Sequence, residues 1–223
     1  MKSVLVFAAH PDDETLGCAG TIAKHNHQGD KVNVIILADG ESSREGSKKS
    51  HIIKRQNMAI QALKILGVKD IHFLQFPDNQ LDKVPQLEII KKVEATFKKI
   101  NPDIVYTHYS EDLNIDHRIT NSITMVLCRP QNKIAVKKVI SYEVLSSTDW
   151  SFSSTKHFSP NYFVNISEFI DKKIEASNCY SSEMHQPPNT RSIDHIKLLA
   201  KHRGATVGYQ YAEAFYTIYE RND

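Results

Sequence analysis

The sequence predicts an α/β protein, a Rossmann-like three-layer α/β/α fold with a mainly parallel sheet. Short apolar runs alternate along the chain with segments of helical periodicity, which is the order of elements in such folds. The first run, at 4–9, is continuous in apolar residues, as expected of a strand that helices cover on both faces. The 223 residues, of which 40% are hydrophobic, can bury a sizeable core, and we predict one domain over residues 1–223.

The first half of the chain supplies two strands and two helices. Residues 4–9 form an unbroken apolar run that predicts a buried strand, and residues 13–27 carry apolar side chains at helical spacing. Residues 32–38 predict the second strand. Residues 51–66 repeat the helical period before Gly67, a residue type that helix C-termini favour.

The middle of the chain repeats this order. Segments at 71–76, 104–108 and 139–145 predict three more strands. Helical periodicity at 87–100 and 116–128 fills the intervals between them. Because crossovers of this kind return the chain in the same direction, we expect these strands to lie parallel.

The last third of the chain is less regular. A polar stretch at 146–159 is followed by a short strand at 162–166, helices at 168–183 and 192–203, and a terminal strand at 214–219. Loops on a rigid scaffold tend to carry specificity, so the polar stretch is a candidate for substrate contact.

Charge and cysteine content exclude several classes of protein. The 28 Lys and Arg against 26 Asp and Glu give a net charge of +2, too small an excess for a nucleic-acid partner. Three widely spaced cysteines without a CxxC motif exclude a disulfide framework and fit the reduced cytoplasm. No run approaches the ~18 apolar residues of a membrane span, so no stable membrane insertion is expected. We therefore predict a cytoplasmic protein.

The turn after the first strand carries the first half of a candidate site. A dinucleotide-binding fold would place GxGxxG there, but this chain has HPDDE at 10–14, which repels phosphate and attracts a cation. His10 and Asp13 lie three residues apart across a turn and can point at one spot. Asp12 diverges from Asp13 by about 100° on a helix, so one can bind a metal while the other faces the metal's water. The alternative is that these aspartates only cap a helix.

The second half of the candidate site follows the strand at 104–108. His117 lies at the junction into the next helix and is expected at the same sheet edge as His10. Two His and one Asp make a three-ligand set with an open fourth position, which is typical of a catalytic zinc. Other divalent first-row metals are possible with the same donors.

Two motifs together resemble the LmbE-like (PIG-L) family of zinc-dependent N-deacetylases: AHPDDETLGCAG at 9–20 and DLNIDHR at 112–118. The similarity continues in AxxALKILGV at 59–68 and VGYQYAEAF at 207–215, so it spans nearly the whole chain. The resemblance implies the LmbE-like fold. It also implies a small-molecule substrate, because members remove the acetyl group from an N-acetylated amino sugar, usually one linked to a second group.

Carried over by position, the resemblance implies His10, Asp13 and His117 as ligands of Zn2+ and Asp12 as the general base. A water that the metal activates then attacks the acetamide carbonyl, and a nearby carboxylate can take its proton.

One position departs from the family pattern. Many members carry a His three positions before the second-motif zinc ligand, where this chain has Asn114. An amide can donate a hydrogen bond to an oxyanion but cannot act as an acid. The proton for the leaving amine then returns through Asp12 or comes from His108. Asp116, which would orient the missing His, is expected to contact the substrate or His108.

Four further residues are candidates for substrate binding. Arg55 matches a family arginine and can engage a hydroxyl or phosphoryl oxygen, or lie on a solvated helix face. Asp39 follows the second strand and can bind hydroxyls or make the turn. Trp150 in the polar stretch offers an aromatic face to a sugar, or packs. Arg191 precedes the helix at 192–203 and is a candidate anion contact.

Two alternatives to the N-deacetylase remain open. One is a metal-dependent hydrolase of another amide or ester bond, and the other is a metal-binding homologue without turnover, for which Asn114 is the only indication. Related folds often form oligomers, so a homo-oligomer is left open as well.

Overall fold

One sheet runs through the protein. The computed structural model describes residues 1–222 except 132, 133, 135, 153 and 154. Within that part of the chain the sheet has seven strands: β1 (Ser3–Ala8), β2 (Lys31–Ala38), β3 (Asp70–Phe76), β4 (Ile104–His108), β5 (Lys138–Tyr142), β6 (Tyr162–Asn165) and β7 (Ala212–Glu220).

The strand order is β3-β2-β1-β4-β5-β7-β6. β1 pairs in parallel with β2 and β4, while β7 runs antiparallel to both β5 and β6. The sheet is therefore mainly parallel, as the sequence predicted. The helices over the described residues are α1 (Asp13–His27), α2 (Lys49–Ile65), α3 (Gln86–Ile100), α4 (Ile115–Leu127), α5 (Ile170–Asn178) and α6 (Ile193–Thr206).

The two faces of the sheet are covered by different helices. Val4 and Val6 belong to a core that includes residues of α1, α2, α5 and α6. Leu5 and Phe7 belong to the opposite core, together with residues of α3 and α4. Because successive side chains of a strand face opposite sides, a strand between two layers must be apolar throughout. The predicted three-layer α/β/α arrangement is confirmed.

The observed bounds depart most from the predicted ones after residue 139. β5 ends at Tyr142, and the chain turns there to bring Ser147 to the cavity described below. α5 ends at Asn178, and the following turns place Glu183 beside two arginines. Local apolar patterns do not report such long-range polar contacts. The single-domain organisation stays a prediction, and no helix in the described ranges has the length and apolar character to cross a membrane.

The helix α1 bends in its middle. Cys18 has φ −148° and ψ 24°, outside the helical region. The backbone N–H groups of Gly20 and Thr21 donate to the Glu213 carboxylate on β7 at 3.0 and 2.7 Å. Lys173 of α5 donates to the same carboxylate at 2.6 Å, and both side chains of the ion pair are buried. The last strand therefore satisfies the backbone of the first helix.

A glycine lets α1 approach the sheet closely. A Cβ atom on Gly17 would lie 2.2 Å from the Tyr142 ring, so only glycine fits without movement. The Tyr142 hydroxyl donates to the Phe7 carbonyl at 2.6 Å and lies 3.1 Å from Nε2 of His108. This contact fixes the start of α1 over the carboxyl ends of β1 and β4.

Candidate metal centre and active site

A polar cavity of about 160 Å³ lies at the carboxyl ends of the parallel strands. His10, Asp12 and Asp13 reach it from the junction of β1 and α1, Asp78 from beyond β3, and His117 from α4. This is the sheet edge at which parallel α/β proteins bind ligands. The other lining residues are Gly40, Ser43, Arg44, Arg55, Asn79, Asn114, Ser146, Ser147, Glu183 and Arg191.

His10, Asp13 and His117 converge in this cavity. Their ligand atoms lie within 4.8 Å of one another, and all three residues are buried. Oδ2 of Asp13 is 3.4 Å from Nδ1 of His10, and Oδ1 of Asp13 is 3.3 Å from Nε2 of His117. The structure thus brings together the three side chains that the sequence analysis expected to hold a metal, and the group could bind one.

The electrostatics of this group favour a cation. Burial opposes a charge on His10, but the carboxylates of Asp116 and Asp13 raise its pKa to about 10. Burial acts in the same way on His117, and Asp13 with Asp112 raises its pKa to about 9. When both imidazoles are neutral, the surrounding carboxylates therefore leave the site with a net negative charge. A divalent ion with neutral His ligands supplies that balance, so the residues fit one.

Carboxylates also hold the far ring nitrogen of each histidine. Nε2 of His10 is 3.1 Å from Oδ2 of Asp116 and 3.2 Å from Oδ1 of Asp78. Nδ1 of His117 is 3.1 Å from Oδ1 of Asp112. Such partners fix the tautomer and the ring orientation of metal-binding histidines. Each imidazole is thereby aimed at Asp13.

Two of these carboxylates were missed by the sequence analysis. Asp112 accepts a hydrogen bond from Thr148 Oγ1 at 2.5 Å and another from Ser147, so the loop after β5 anchors it. Asp78 lies two residues beyond the end of β3, and the rule that sites form at carboxyl ends of strands could have found it. Nothing in the local pattern distinguished Asp112 from its neighbours.

Asp116 lies elsewhere than expected. Its expected partners from the sequence were the substrate or His108, whereas its carboxylate lies against His10. Its other oxygen, Oδ1, accepts the Leu81 N–H at 3.0 Å. Because both oxygens have protein partners, Asp116 is a residue that orients His10.

Asp12 stands beside the candidate metal ligands in an unusual conformation. Its φ is 124°, a value that residues with a side chain rarely adopt. The residue is 1% exposed, and its Oδ2 accepts hydrogen bonds from Arg55 and Arg191, each at 3.0 Å. Burial raises the pKa of Asp12, and the two guanidinium groups oppose that rise without cancelling it. The result is a buried carboxyl that is more basic than an ordinary aspartate.

Arg55 is part of a buried ion-pair network. It is 3% exposed, so the alternative of a solvated helix face is wrong. Besides Asp12, it pairs with Glu183, which also binds Arg44 at 2.8 Å. Its guanidinium lies 5.6 Å from the ring centroid of Tyr180. These contacts make Arg55 a support for Asp12.

Asn114 and His108 occupy different depths. Asn114 lines the cavity and caps α4, because its Oδ1 accepts the Asp116 N–H at 2.8 Å, while its Nδ2 donates to Asn79 at 2.9 Å. His108 is fully buried behind His117, with ring centroids 3.9 Å apart. Burial lowers the pKa of His108 well below 6.5, and the positive charge of His117 acts in the same direction.

The structure does not bring Asp39 and Trp150 to the cavity. Oδ1 of Asp39 accepts the N–H groups of Glu41 and Ser42, each at 2.8 Å, so this side chain makes the turn. Trp150 is 39% exposed in a short 3-10 helix. Neither residue is among the described residues that line the cavity. Arg191 does line it, and its Nε also donates to Ser146 at 2.8 Å.

The fold and the site define the class of the protein. A mainly parallel α/β sheet carries a buried two-His, one-Asp group at its carboxyl edge, with a basic carboxyl beside it. Such a group could hold a metal ion, and a basic carboxyl beside it is a combination that metal-dependent hydrolases use.

Comparisons with known proteins give the family. The family described as PIG-L, GlcNAc-PI de-N-acetylase, matches residues 5–128. The uncharacterized deacetylase YaiS of Escherichia coli is 30% identical over 81% of this chain and 91% of its own length. The diacetylchitobiose deacetylase of Thermococcus kodakarensis is 25% identical over 96% of this chain and 82% of its own. The chain belongs to the PIG-L family, and its named relatives support a hydrolytic N-deacetylase.

A solved structure confirms the fold. GalB, the 4-carboxy-2-hydroxymuconate hydratase of Pseudomonas putida, superposes with a TM-score of 0.80 over 100% of this chain and 98% of its own, at 21% identity. That protein is named a hydratase, so the fold alone does not set the reaction.

Proposed function

We propose that this chain is a zinc-dependent N-deacetylase that acts on an N-acetylated amino-sugar conjugate. The observation that carries the proposal is the buried group of His10, Asp13 and His117 with Asp12 beside it in one polar cavity. Membership in the PIG-L family and the named diacetylchitobiose deacetylase among the relatives supply the substrate class.

His10, Asp13 and His117 would hold the metal. Two imidazole nitrogens and one carboxylate without thiolate suit zinc, and other divalent first-row metals fit the same donors. When bound, such an ion polarises the amide carbonyl and makes water easier to deprotonate near neutral pH. The carboxylates of Asp112 and Asp116 keep both imidazoles in the orientation that this binding needs.

Asp12 would act as the general base. Among the described residues, its two side-chain hydrogen bonds both end on Oδ2, so Oδ1 would be the oxygen that takes the proton of the attacking water. Because burial raises its pKa, the carboxylate takes a proton more readily than an exposed aspartate does. Arg55 and Arg191 hold the carboxylate in place while it does so.

Asp12 also returns the proton to the leaving amine in this proposal. His108 is fully buried and does not line the cavity, so it cannot reach the amine directly. Asn114 lines the cavity and can donate a hydrogen bond to the oxyanion, but its amide is too weak an acid to protonate the amine. The Asp12 carboxyl would first accept a proton from the attacking water and then donate it to the leaving amine, so one group serves both steps.

The substrate would enter where the cavity meets solvent. Asn79 and Arg44 are exposed there, and Asp78 lies beneath them with one oxygen near His10. Amide, guanidinium and carboxylate groups of this kind bind sugar hydroxyls. The cytoplasmic location, the lack of a nucleic-acid partner and homo-oligomerisation stay predictions.

Acetate release tests the proposal. The zinc-loaded enzyme is incubated with N,N'-diacetylchitobiose, N-acetylglucosamine and nucleotide- and lipid-linked N-acetyl sugars, and acetate is quantified. We expect release from at least one substrate, its loss after chelation and its recovery with zinc. Asp12→Asn should keep one zinc per chain and lose about 100-fold or more in turnover. Stoichiometric zinc without acetate release across the panel, or full activity of Asp12→Asn, would overturn the proposal.

A further inference from the structure

A second and larger cavity lies at the opposite end of the sheet. Its volume is about 490 Å³, within the range of small-molecule sites. Lys2 precedes β1, Ile104 begins β4 and Lys138 begins β5, so the cavity sits at the amino ends of these strands. The six residues of β1 separate it from His10 by about 20 Å at ~3.3 Å per residue.

This cavity is basic. Five of its lining side chains are cationic at neutral pH: Lys2, Lys24, Lys137, Lys138 and Arg221. The acidic side chains that line it are Asp103 and Glu220. An excess of this size in one cavity contrasts with the net charge of +2 for the whole chain. The surplus favours an anionic ligand.

Both acidic side chains already have protein partners. Oδ2 of Asp103 accepts the Ser3 N–H at 2.8 Å. Glu220 pairs with Lys138 at 3.0 Å, and the Lys138 ammonium lies 3.6 Å from the ring centroid of Tyr162. The two carboxylates can balance only two of the five cationic groups that line the cavity, so a surplus of positive charge remains.

The buried hydroxyl of Thr21 is a second observation, independent of charge, that favours a bound ligand in this cavity. Thr21 lines the cavity and is 1% exposed, and its Oγ1 has no hydrogen-bond partner among the described residues. Its backbone N–H is bound to Glu213, so only the hydroxyl is unsatisfied. Buried polar atoms are normally hydrogen-bonded, and an oxygen of a bound ligand would satisfy this one.

We propose that this cavity is a second binding site, for a phosphorylated small molecule. Lysine ammonium groups bind phosphate as point charges, and a threonine hydroxyl donates well to a phosphate oxygen. Lys2, Lys24 and Lys137 supply the charge, and Thr21 supplies the buried donor. The site is independent of the proposed N-deacetylase reaction, because none of its residues lines the cavity that holds Asp12 and His117.

The test measures binding of inorganic phosphate and of fructose 1,6-bisphosphate to the zinc-loaded protein by calorimetry. We expect saturable binding that is tighter for the bisphosphate. The double variant Lys2→Gln, Lys137→Gln should weaken it at least tenfold, and so should Thr21→Val, whose fold is checked by its melting temperature. The matched double variant Lys91→Gln, Lys99→Gln removes two exposed charges from α3 and should bind as the unaltered protein does.

The outcomes separate the two cavities. If the Lys2/Lys137 and Thr21 variants bind phosphate as tightly as the unaltered protein does, the anion binds elsewhere, for example at the zinc. That result would overturn the proposal. No binding by the unaltered protein at millimolar phosphate or bisphosphate would overturn it too. Acetate release by the Thr21 variant reports on the proposed deacetylase separately.

Discussion

Arg191 and Asp12 are 179 residues apart in the sequence, yet the guanidinium of one donates to the carboxylate of the other at 3.0 Å. From the sequence, Arg191 is a candidate contact for an anionic group of the substrate. That expectation stays a prediction, and the structure adds a protein partner, because Arg191 shares the Oδ2 atom of Asp12 with Arg55. Two arginines from distant parts of the chain thus fix the carboxyl that the proposed reaction uses.

Arg191→Ala should therefore lower turnover more than it alters substrate binding. Without this donor the Asp12 carboxylate can rotate, and misplacement of a catalytic group by 1 Å can reduce the rate about 100-fold. We expect kcat to fall by about that factor while KM and zinc content stay near their original values. Steady-state acetate release and metal analysis measure both, with exposed Arg129→Ala as the control. A raised KM at unchanged kcat would instead assign Arg191 to substrate.

Asp112→Asn should weaken metal binding. The carboxylate holds Nδ1 of His117 at 3.1 Å, and partners of this kind typically contribute 10- to 100-fold, so about that loss of zinc affinity is expected. Competition with a chromophoric chelator gives the dissociation constant. Half-exposed Asp70→Asn removes the same charge at the amino end of β3, opposite the site, and should leave zinc affinity unchanged.

Glu213→Gln should destabilise the fold strongly. It leaves the Lys173 ammonium buried without its countercharge, which typically reduces the free energy of unfolding by about 3–5 kcal/mol. Adding Lys173→Met should recover part of the loss, since the double variant buries no unpaired charge. Denaturant unfolding of the three proteins measures this. Glu94→Gln breaks the exposed pair with Lys98 and should change stability by less than about 1 kcal/mol.

His25→Gln should flatten the pH dependence of stability on the acid side. Burial lowers the pKa of His25 from 6.5, although Asp30 acts to raise it. Between the folded pKa and 6.5 the unfolded chain binds more protons at this residue, so stability is lost as the pH falls through that window. Unfolding free energies at pH 7.5 and 5.5 should differ less in the variant. An identical difference in both proteins would contradict the assignment.

Much of the fold could be predicted from local patterns. β1 through β4 lie between two helical layers, so they need apolar residues on both faces, and that requirement is visible in the sequence. The antiparallel direction of β7 could not be predicted, because the apolar pattern of a strand does not depend on whether the strand runs parallel or antiparallel to its neighbours. The end of α5 could not be predicted either, since it depends on the distant partners of Glu183.

The residues of the site likewise fall into those that the sequence could predict and those that it could not. The proximity of His10, Asp13 and His117 could be predicted from the sequence, because each follows a strand that ends at the same edge of the sheet. The roles of Asp112, Asp116 and Arg55 depend on the direction of each side chain and on partners far along the chain. No local pattern encodes these, and only the packed structure revealed them.

The bond between Glu213 and the bend of α1 also bears on synthesis. The backbone of Thr21 leaves the ribosome early, while the carboxylate that satisfies it follows 192 residues later. Until β7 has been added, the helix that presents Asp12 and Asp13 is incomplete at its bend. The bend of α1 is therefore expected to reach its final form only after β7 has been translated and has paired with the sheet.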